Sequence, residues 1–241
     1  TSIWAPGANL HRTPYSARNF EYYSEDSMMA YWMGARQCRG LQDKGCIACP
    51  KHYAFNDQEK NRCSLINFFN EQSGRELQLR SFQGSFTIGG AMGTMTSFSR
   101  VGCTYAGASW SLLTGVLRGE WGFKGYTITD YAAWDFMRAV ECLKAGTDMF
   151  DTTADTYSSV ILANVTKGDD PVAQAALREA NKRVLYAYVN SHAVEGTSIA
   201  VLPWWESAIY TAIGIVAGLT AISLCLLYTS PSPRDSTSSR M

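Results

Sequence analysis

The chain has no excess of charge. Its 21 basic residues balance 21 acidic ones, and no stretch gathers Lys and Arg into a stripe that would hold phosphates, so no nucleic-acid partner is expected. Cysteine is too irregular for a disulfide framework, with seven scattered residues, an odd number. Cys46 and Cys49 form one C-x-x-C. They have no second pair and no histidine at ligand spacing, so they read as buried free thiols, and no metal or cofactor is expected. The chain also opens without an initiator Met or a secretory signal: SIWAPG already reads like the middle of a domain, and the expectation is a fragment.

What is present is enough for one large globular domain: 241 residues, 46% of them hydrophobic. Strand-like and helix-like stretches alternate. Strands are expected at Ser2–Ala5, Ile47–Ala48, Thr94–Phe98, Tyr126–Thr129 and Thr147–Phe150. The apolar spacing predicts helices over Glu25–Leu41, Glu71–Ser85, Ala108–Trp121, Ala132–Ala145, Ala154–Thr166 and Pro171–Asn190. The last has Asp170 as its N-cap and Pro171 at its first position. With no two strands adjacent, pairing must be parallel through helical crossovers. The expected fold is α/β, a partial (β/α)8 barrel with about five of eight strands, the others lying upstream.

Between Ser207 and Pro233 there is no charged residue, and Ala208–Leu227 is a continuous apolar run long enough to cross a bilayer. Trp204, Trp205, Tyr210 and Tyr228 stand near its ends, where such rings favour the headgroup zone. The expected organisation is a barrel domain over 1–196, a linker over 197–207, a transmembrane helix over 208–227 and a disordered tail over 228–241. That tail, YTSPSPRDSTSSRM, resembles translated adapter sequence and is set aside. The protein is expected to be single-pass, with the barrel outside the cytoplasm.

Chemistry centres on GFKGYTITDY, where a buried strand, Tyr126–Thr129, delivers Asp130 at its C-terminal tip. Parallel β/α barrels carry their catalytic groups at that end. The wider segment LLTGVLRGEWGFKGYTITDY resembles the nucleophile segment of family 3 glycoside hydrolases, the β-glucosidase and β-xylosidase family. ARNFEYYSEDS resembles the family's GRNFEYYSEDP motif, with Ala17 where Gly is usual and Ser27 where Pro is usual. KHYAFNDQEKNR matches its Lys-His pair, and Met95–Phe98 its Met-x-x-Tyr segment.

The resemblance implies that Asp130 is the nucleophile of a retaining glycosidase. Arg18, Lys51 and His52, with Arg62 nearby, would hold the hydroxyls of the sugar beside it. Met95, Phe98 and Tyr131 would complete the substrate site, Phe98 without the hydroxyl that the family's Tyr offers. A retaining mechanism needs a second carboxyl group as acid and base. In the β-glucosidase branch that Glu comes from another domain, expected here upstream or in trans. The histidine loop KHFPGHG of the β-N-acetylhexosaminidase branch is absent. Glu59, Glu120 and Asp148 read as caps or supporting groups, and His11 and His192 as ordinary structural residues. The expected substrate is a terminal β-linked glycoside. The alternative is a membrane-anchored, non-catalytic glycan-binding protein derived from the same barrel.

Overall fold

Short runs of β-branched, aromatic and small residues form the strands β1 (Ser2–Ile3), β2 (Ile47–Ala48), β3 (Ile66–Asn67), β4 (Gly93–Met95), β5 (Arg100–Val101), β6 (Thr104–Tyr105) and β7 (Tyr126–Ile128). A computed structural model describes residues 1–132, 135–152, 155–167, 170–195 and 204–229. It divides into two units, Thr1–Gly196 and Thr197–Met241.

In the first unit β1 pairs in parallel with β2, and β4 with β7. The two pairs are joined where Met95 N–H donates to the Pro50 carbonyl at 3.1 Å and Tyr53 N–H to the Met95 carbonyl at 2.7 Å. Beyond β7 the array continues through a parallel bridge between Ile128 and Met149. The order is therefore β1, β2, β4, β7 and the Met149 segment, the five expected strands in chain order. The last is one bridge rather than a full strand.

Helices α1 (Ser27–Gln42), α2 (Glu71–Ser73), α3 (Arg80–Thr87), α4 (Ala139–Ala145), α5 (Thr156–Lys167) and α6 (Pro171–Val189) alternate with these strands. A π-helical stretch, Gly74–Leu79, joins α2 to α3, and a second, Ser111–Glu120, precedes β7. Asp26 caps α1 by accepting from Met29 N–H at 2.6 Å, and Asp170 caps α6 by accepting from Ala173 N–H at 3.0 Å. Gly125 lets the chain enter β7, since a Cβ there would lie 2.0 Å from the Met92 carbonyl oxygen.

Two expectations are corrected. Strands do neighbour one another in sequence: β5 and β6 form an antiparallel hairpin, with β3 parallel to β5, in the loops above β4. Gly102, with φ +58°, makes their turn. The helix expected from Ala132 begins only at Ala139. Ala132 N–H instead donates to the Asp151 carbonyl at 2.6 Å, and residues 135–137 form a turn and bend before the helix; residues 133 and 134 lie outside the described residues.

The helices pack through apolar clusters. One gathers Tyr53, Phe82, Phe86, Leu113, Leu117 and Phe123, with Tyr53 edge-on to Phe82 at 5.4 Å. Another joins Ile47, Cys49, Met95, Tyr126 and Ile128 to Ala187 of α6. Beneath the strands, the fully buried Asp148 carboxylate pairs with Arg118 at 2.7 Å and Arg183 at 3.0 Å, and it accepts from Thr127 N–H at 2.8 Å. This one acid ties the second π-helical stretch, β7 and α6 together.

In the second unit, α7 (Trp204–Thr229) has 26 residues. It takes in residues assigned above to the linker and to the tail; residues 197–203 and 230–241 lie outside the described residues. By length and composition it could cross a membrane: at ~1.5 Å per residue it exceeds a hydrocarbon core of about 30 Å.

Candidate active site

The C-terminal ends of adjacent parallel strands bring distant residues together. Asn9 follows β1, Lys51 and His52 follow β2, Phe98 follows β4 and Asp130 follows β7.

The Asp130 side chain is 15% exposed. Its Oδ1 accepts from Tyr131 N–H at 2.8 Å. Its Oδ2 has no hydrogen-bond partner among the described residues and faces His52 Nε2 at 3.6 Å. Burial raises its pKa above the ordinary carboxylate value, against the pull of the Tyr131 N–H, Arg62, Arg18 and Lys51. One carboxylate oxygen is thus without a hydrogen-bond partner among the described residues, and the surrounding cations pull toward its ionised form against burial.

His52 is almost fully buried. Its backbone is clamped by Asn9, whose Oδ1 accepts from His52 N–H at 2.7 Å and whose Nδ2 donates to the His52 carbonyl at 3.1 Å. Burial, reinforced by Arg18, Lys51 and Arg62, holds its pKa well below the ordinary imidazole value, so the ring is neutral. The contact with Asp130 is therefore not an ion pair. Tyr22 OH lies 3.3 Å from His52 Nδ1 and accepts from Asn56 Nδ2 at 3.2 Å. A hydroxyl that accepts from Asn56 has its own proton to give to Nδ1, which leaves the ring proton on Nε2, facing Asp130.

The cations are held by two carboxylates. Glu21 pairs with both Arg18 and Lys51, the latter at 3.4 Å. Glu59 pairs with Arg18 at 3.5 Å and Arg62 at 2.8 Å and accepts from Asn56 at 3.2 Å. The Arg62 guanidinium lies 4.3 Å from the Phe98 ring centroid. Tyr131 is half-exposed beside Asp130.

Arg18, Lys51, His52, Arg62 and Phe98 are thus gathered around Asp130. Met95 is not: it packs with Cys49, Tyr126 and Ala187 in the apolar cluster under α6. Of the other acids, Glu59 orders the cations, Glu120 pairs with Arg75 at 2.6 Å, and Asp148 is the buried structural acid. His11 Nε2 lies 2.9 Å from the Tyr22 carbonyl oxygen. No cluster of metal-ligating side chains occurs among the described residues. Sequence reasoning missed Asn9, Tyr22 and Asn56. Tyr22 lay inside EYYSED and Asn56 inside FNDQE, both polar loops after strands, which was the available signal.

The glycosyl hydrolase family 3 N-terminal domain matches residues 1–187 of this chain. The chain belongs to glycoside hydrolase family 3. A β-glucosidase from Ruminococcus albus is 30% identical over 200 residues, covering 80% of this chain and 21% of that protein. β-Glucosidase A from Butyrivibrio fibrisolvens is 37% identical over 144 residues, covering 60% of this chain and 17% of that protein. The solved structure of β-glucosidase 3B from Thermotoga neapolitana in complex with glycerol superposes with a TM-score of 0.75 at 32% identity, covering 81% of this chain and 28% of that one. This family 3 chain therefore spans about a fifth of the length of these two curated relatives.

Proposed function

We propose that the chain carries the nucleophile half of a β-glucosidase-type active site, and that its five parallel strands belong to an eight-stranded β/α barrel completed by further sequence. The observation that carries this reading is the Asp130 carboxylate oxygen Oδ2, without a hydrogen-bond partner among the described residues and ringed by Arg18, Lys51, His52 and Arg62. Asp130 Oδ2 attacks the anomeric carbon of a terminal β-glucoside. The C1–O bond to the leaving group breaks, and a glycosyl–Asp130 ester forms. His52 Nε2–H, Lys51 and Arg18 donate to sugar hydroxyls, and these bonds tighten as the ring distorts toward the oxocarbenium-like transition state. Tyr131 walls the sugar face.

The leaving oxygen takes its proton from an acid/base Glu on another domain, upstream or in trans; the four-fifths of relatives' length outside the match leaves room for it. The helix α7 anchors the protein in a membrane with the site outside the cytoplasm.

An aryl β-glucoside with an activated leaving group tests this, because it needs little protonation. The expected result is slow turnover that azide accelerates, with β-glucosyl azide as product. Turnover of an unactivated disaccharide at full rate would overturn the claim that the acid lies elsewhere. Glucose binding with no aryl-glucoside turnover would leave the glycan-binding reading in its place.

A further inference from the structure

Asp57 and Gln78 tie two loops of the site to one helical stretch. Asp57 follows Asn56, which donates to Tyr22 OH and to Glu59 Oε1, and Gln78 belongs to the π-helical stretch Gly74–Leu79. The Gln78 amide nitrogen donates to Asp57 Oδ2 at 2.5 Å. The backbone N–H of Leu10, beside the Asn9 clamp on His52, also pulls on this carboxyl. One carboxyl thus joins the loop after β1, the loop after β2 and the stretch before α3.

The pairing is half made. Gln78 Oε1 and Asp57 Oδ1, the remaining oxygen on each partner, are shut off from solvent and have no hydrogen-bond partner among the described residues. Buried acceptors without a donor cost folding free energy. A carboxyl and an amide become fully complementary when the acid carries its proton, because one N–H···O and one O–H···O bond then close a ring and a single proton serves both leftover oxygens. With the carboxyl ionised, both oxygens are acceptors and repel.

We propose that Asp57 and Gln78 form a proton-operated latch: protonated Asp57 donates from Oδ1 to Gln78 Oε1 and holds the loops closed, and loss of that proton to solvent loosens the loop that carries Asn56 and Glu59. The latch does not depend on the chemistry at Asp130.

The surroundings favour the proton. Among the residues lining the space about Asp57, the loop after β2 presents Gln58, β3 presents Asn67 and the π-helical stretch presents Gln78, all neutral. Arg12, from the loop after β1, is the one other charged residue there; its guanidinium stands 3.9 Å from Oδ2 and is half-exposed, so solvent screens it. Burial prevails and raises the Asp57 carboxyl to about 6, against the pull of Arg12, the Gln78 amide and the Leu10 N–H. With the folded pKa above the unfolded one, the latch contributes fully below the ordinary carboxylate range and is lost as the pH rises through about 6.

The test is hydrogen-exchange mass spectrometry on the full chain at pH 5 and pH 7, with rates corrected for the intrinsic pH dependence of amide exchange. Segments 55–60 and 74–79 should exchange about tenfold faster at pH 7, the equilibrium effect of losing one buried hydrogen bond. Asp57→Asn places an amide N–H where the carboxyl proton would be, and should keep both segments at the slow rate at either pH. Gln78→Met, of similar size but without the oxygen, should leave them at the fast rate at either pH. A natural chain whose rates do not change, or are faster at pH 5, overturns the proposal, as does a pH difference that survives in either variant. Should a variant fail to fold, the side-chain N–H resonances of Gln78 in the natural chain decide: they should shift with a midpoint near pH 6, and a midpoint in the ordinary carboxylate range overturns the latch.

Discussion

His52 Nε2 faces Asp130 Oδ2 at 3.6 Å, across a gap too wide for a hydrogen bond and narrow enough for one small ligand to meet both. In the mechanism proposed above, the neutral imidazole N–H on one side would bind a hydroxyl and the carboxylate oxygen on the other would attack the adjacent carbon. His52→Ala should therefore weaken glucoside binding and slow attack together. The expected loss in kcat/KM on an activated aryl glucoside is about 10²-fold, checked by steady-state kinetics.

Tyr22 acts on this pair through the ring of His52. Tyr22→Phe removes the donor to Nδ1 and leaves that buried nitrogen without its partner. The expected cost is about tenfold in kcat/KM, from one lost buried hydrogen bond of about 1–2 kcal/mol. Asn56→Ala should give a smaller loss in the same direction, because the Tyr22 hydroxyl then loses the amide that orients it.

The pH dependence follows from Asp130. Its folded pKa is raised by burial, so above the ordinary carboxylate range the ionised form is held at a cost that the unfolded chain does not bear. That cost is present at neutral pH and disappears as the pH falls through the raised pKa. Asp130→Asn should therefore raise Tm at pH 7, with the gap from the natural chain closing on acidification. For His52 the sign is reversed. Its folded pKa lies well below the unfolded value, so the unfolded chain binds the extra proton and stability falls as the pH drops through the ordinary imidazole range. Thermal unfolding against pH for the natural chain, Asp130→Asn and His52→Gln separates the two contributions.

Ala17, where the family usually has Gly, sits at φ +71°. A Cβ in that left-handed conformation is strained by about 1 kcal/mol or more. Ala17→Gly should relieve the strain and raise Tm by a few degrees without changing Arg18's contacts. An unchanged or lower Tm would show that the loop entropy added by glycine outweighs the strain.

Asp148 should be the costliest position in the barrel unit. Asp148→Ala leaves Arg118 and Arg183 without their shared carboxylate, and Arg118 is already lowered to about 10 by burial. Removing one side of such a buried pair typically costs about 3–5 kcal/mol, which urea unfolding would register.

Contiguity decided what could be read from the sequence. Asp130 at a strand tip, the Lys51–His52 pair and the Arg18 motif each lie within a few residues of a recognisable pattern, and the strand alternation carried the parallel array. Asn9 and Tyr22 reach His52 across 43 and 30 residues. No local pattern records that reach, because it exists only once β1 and β2 are side by side. The β5–β6 hairpin was hidden in a short polar stretch, although Gly102 between Val101 and Cys103 is the residue its turn requires. Met95, which a motif match assigned to the substrate site, packs with Cys49, Tyr126 and Ala187, while its neighbour Thr96 lies on the opposite face of the strand and bonds to Tyr105 at 3.3 Å.

The most direct test of the central claim is covalent trapping. A 2-deoxy-2-fluoro-β-glucosyl donor with a dinitrophenolate leaving group forms the glycosyl ester without an acid, and the fluorine slows its hydrolysis. Peptide mass spectrometry should then find the fluoroglucosyl mass on Asp130 and on no other carboxylate, with the label absent in Asp130→Asn. A label on Glu21, Glu59 or any other acid would contradict the account.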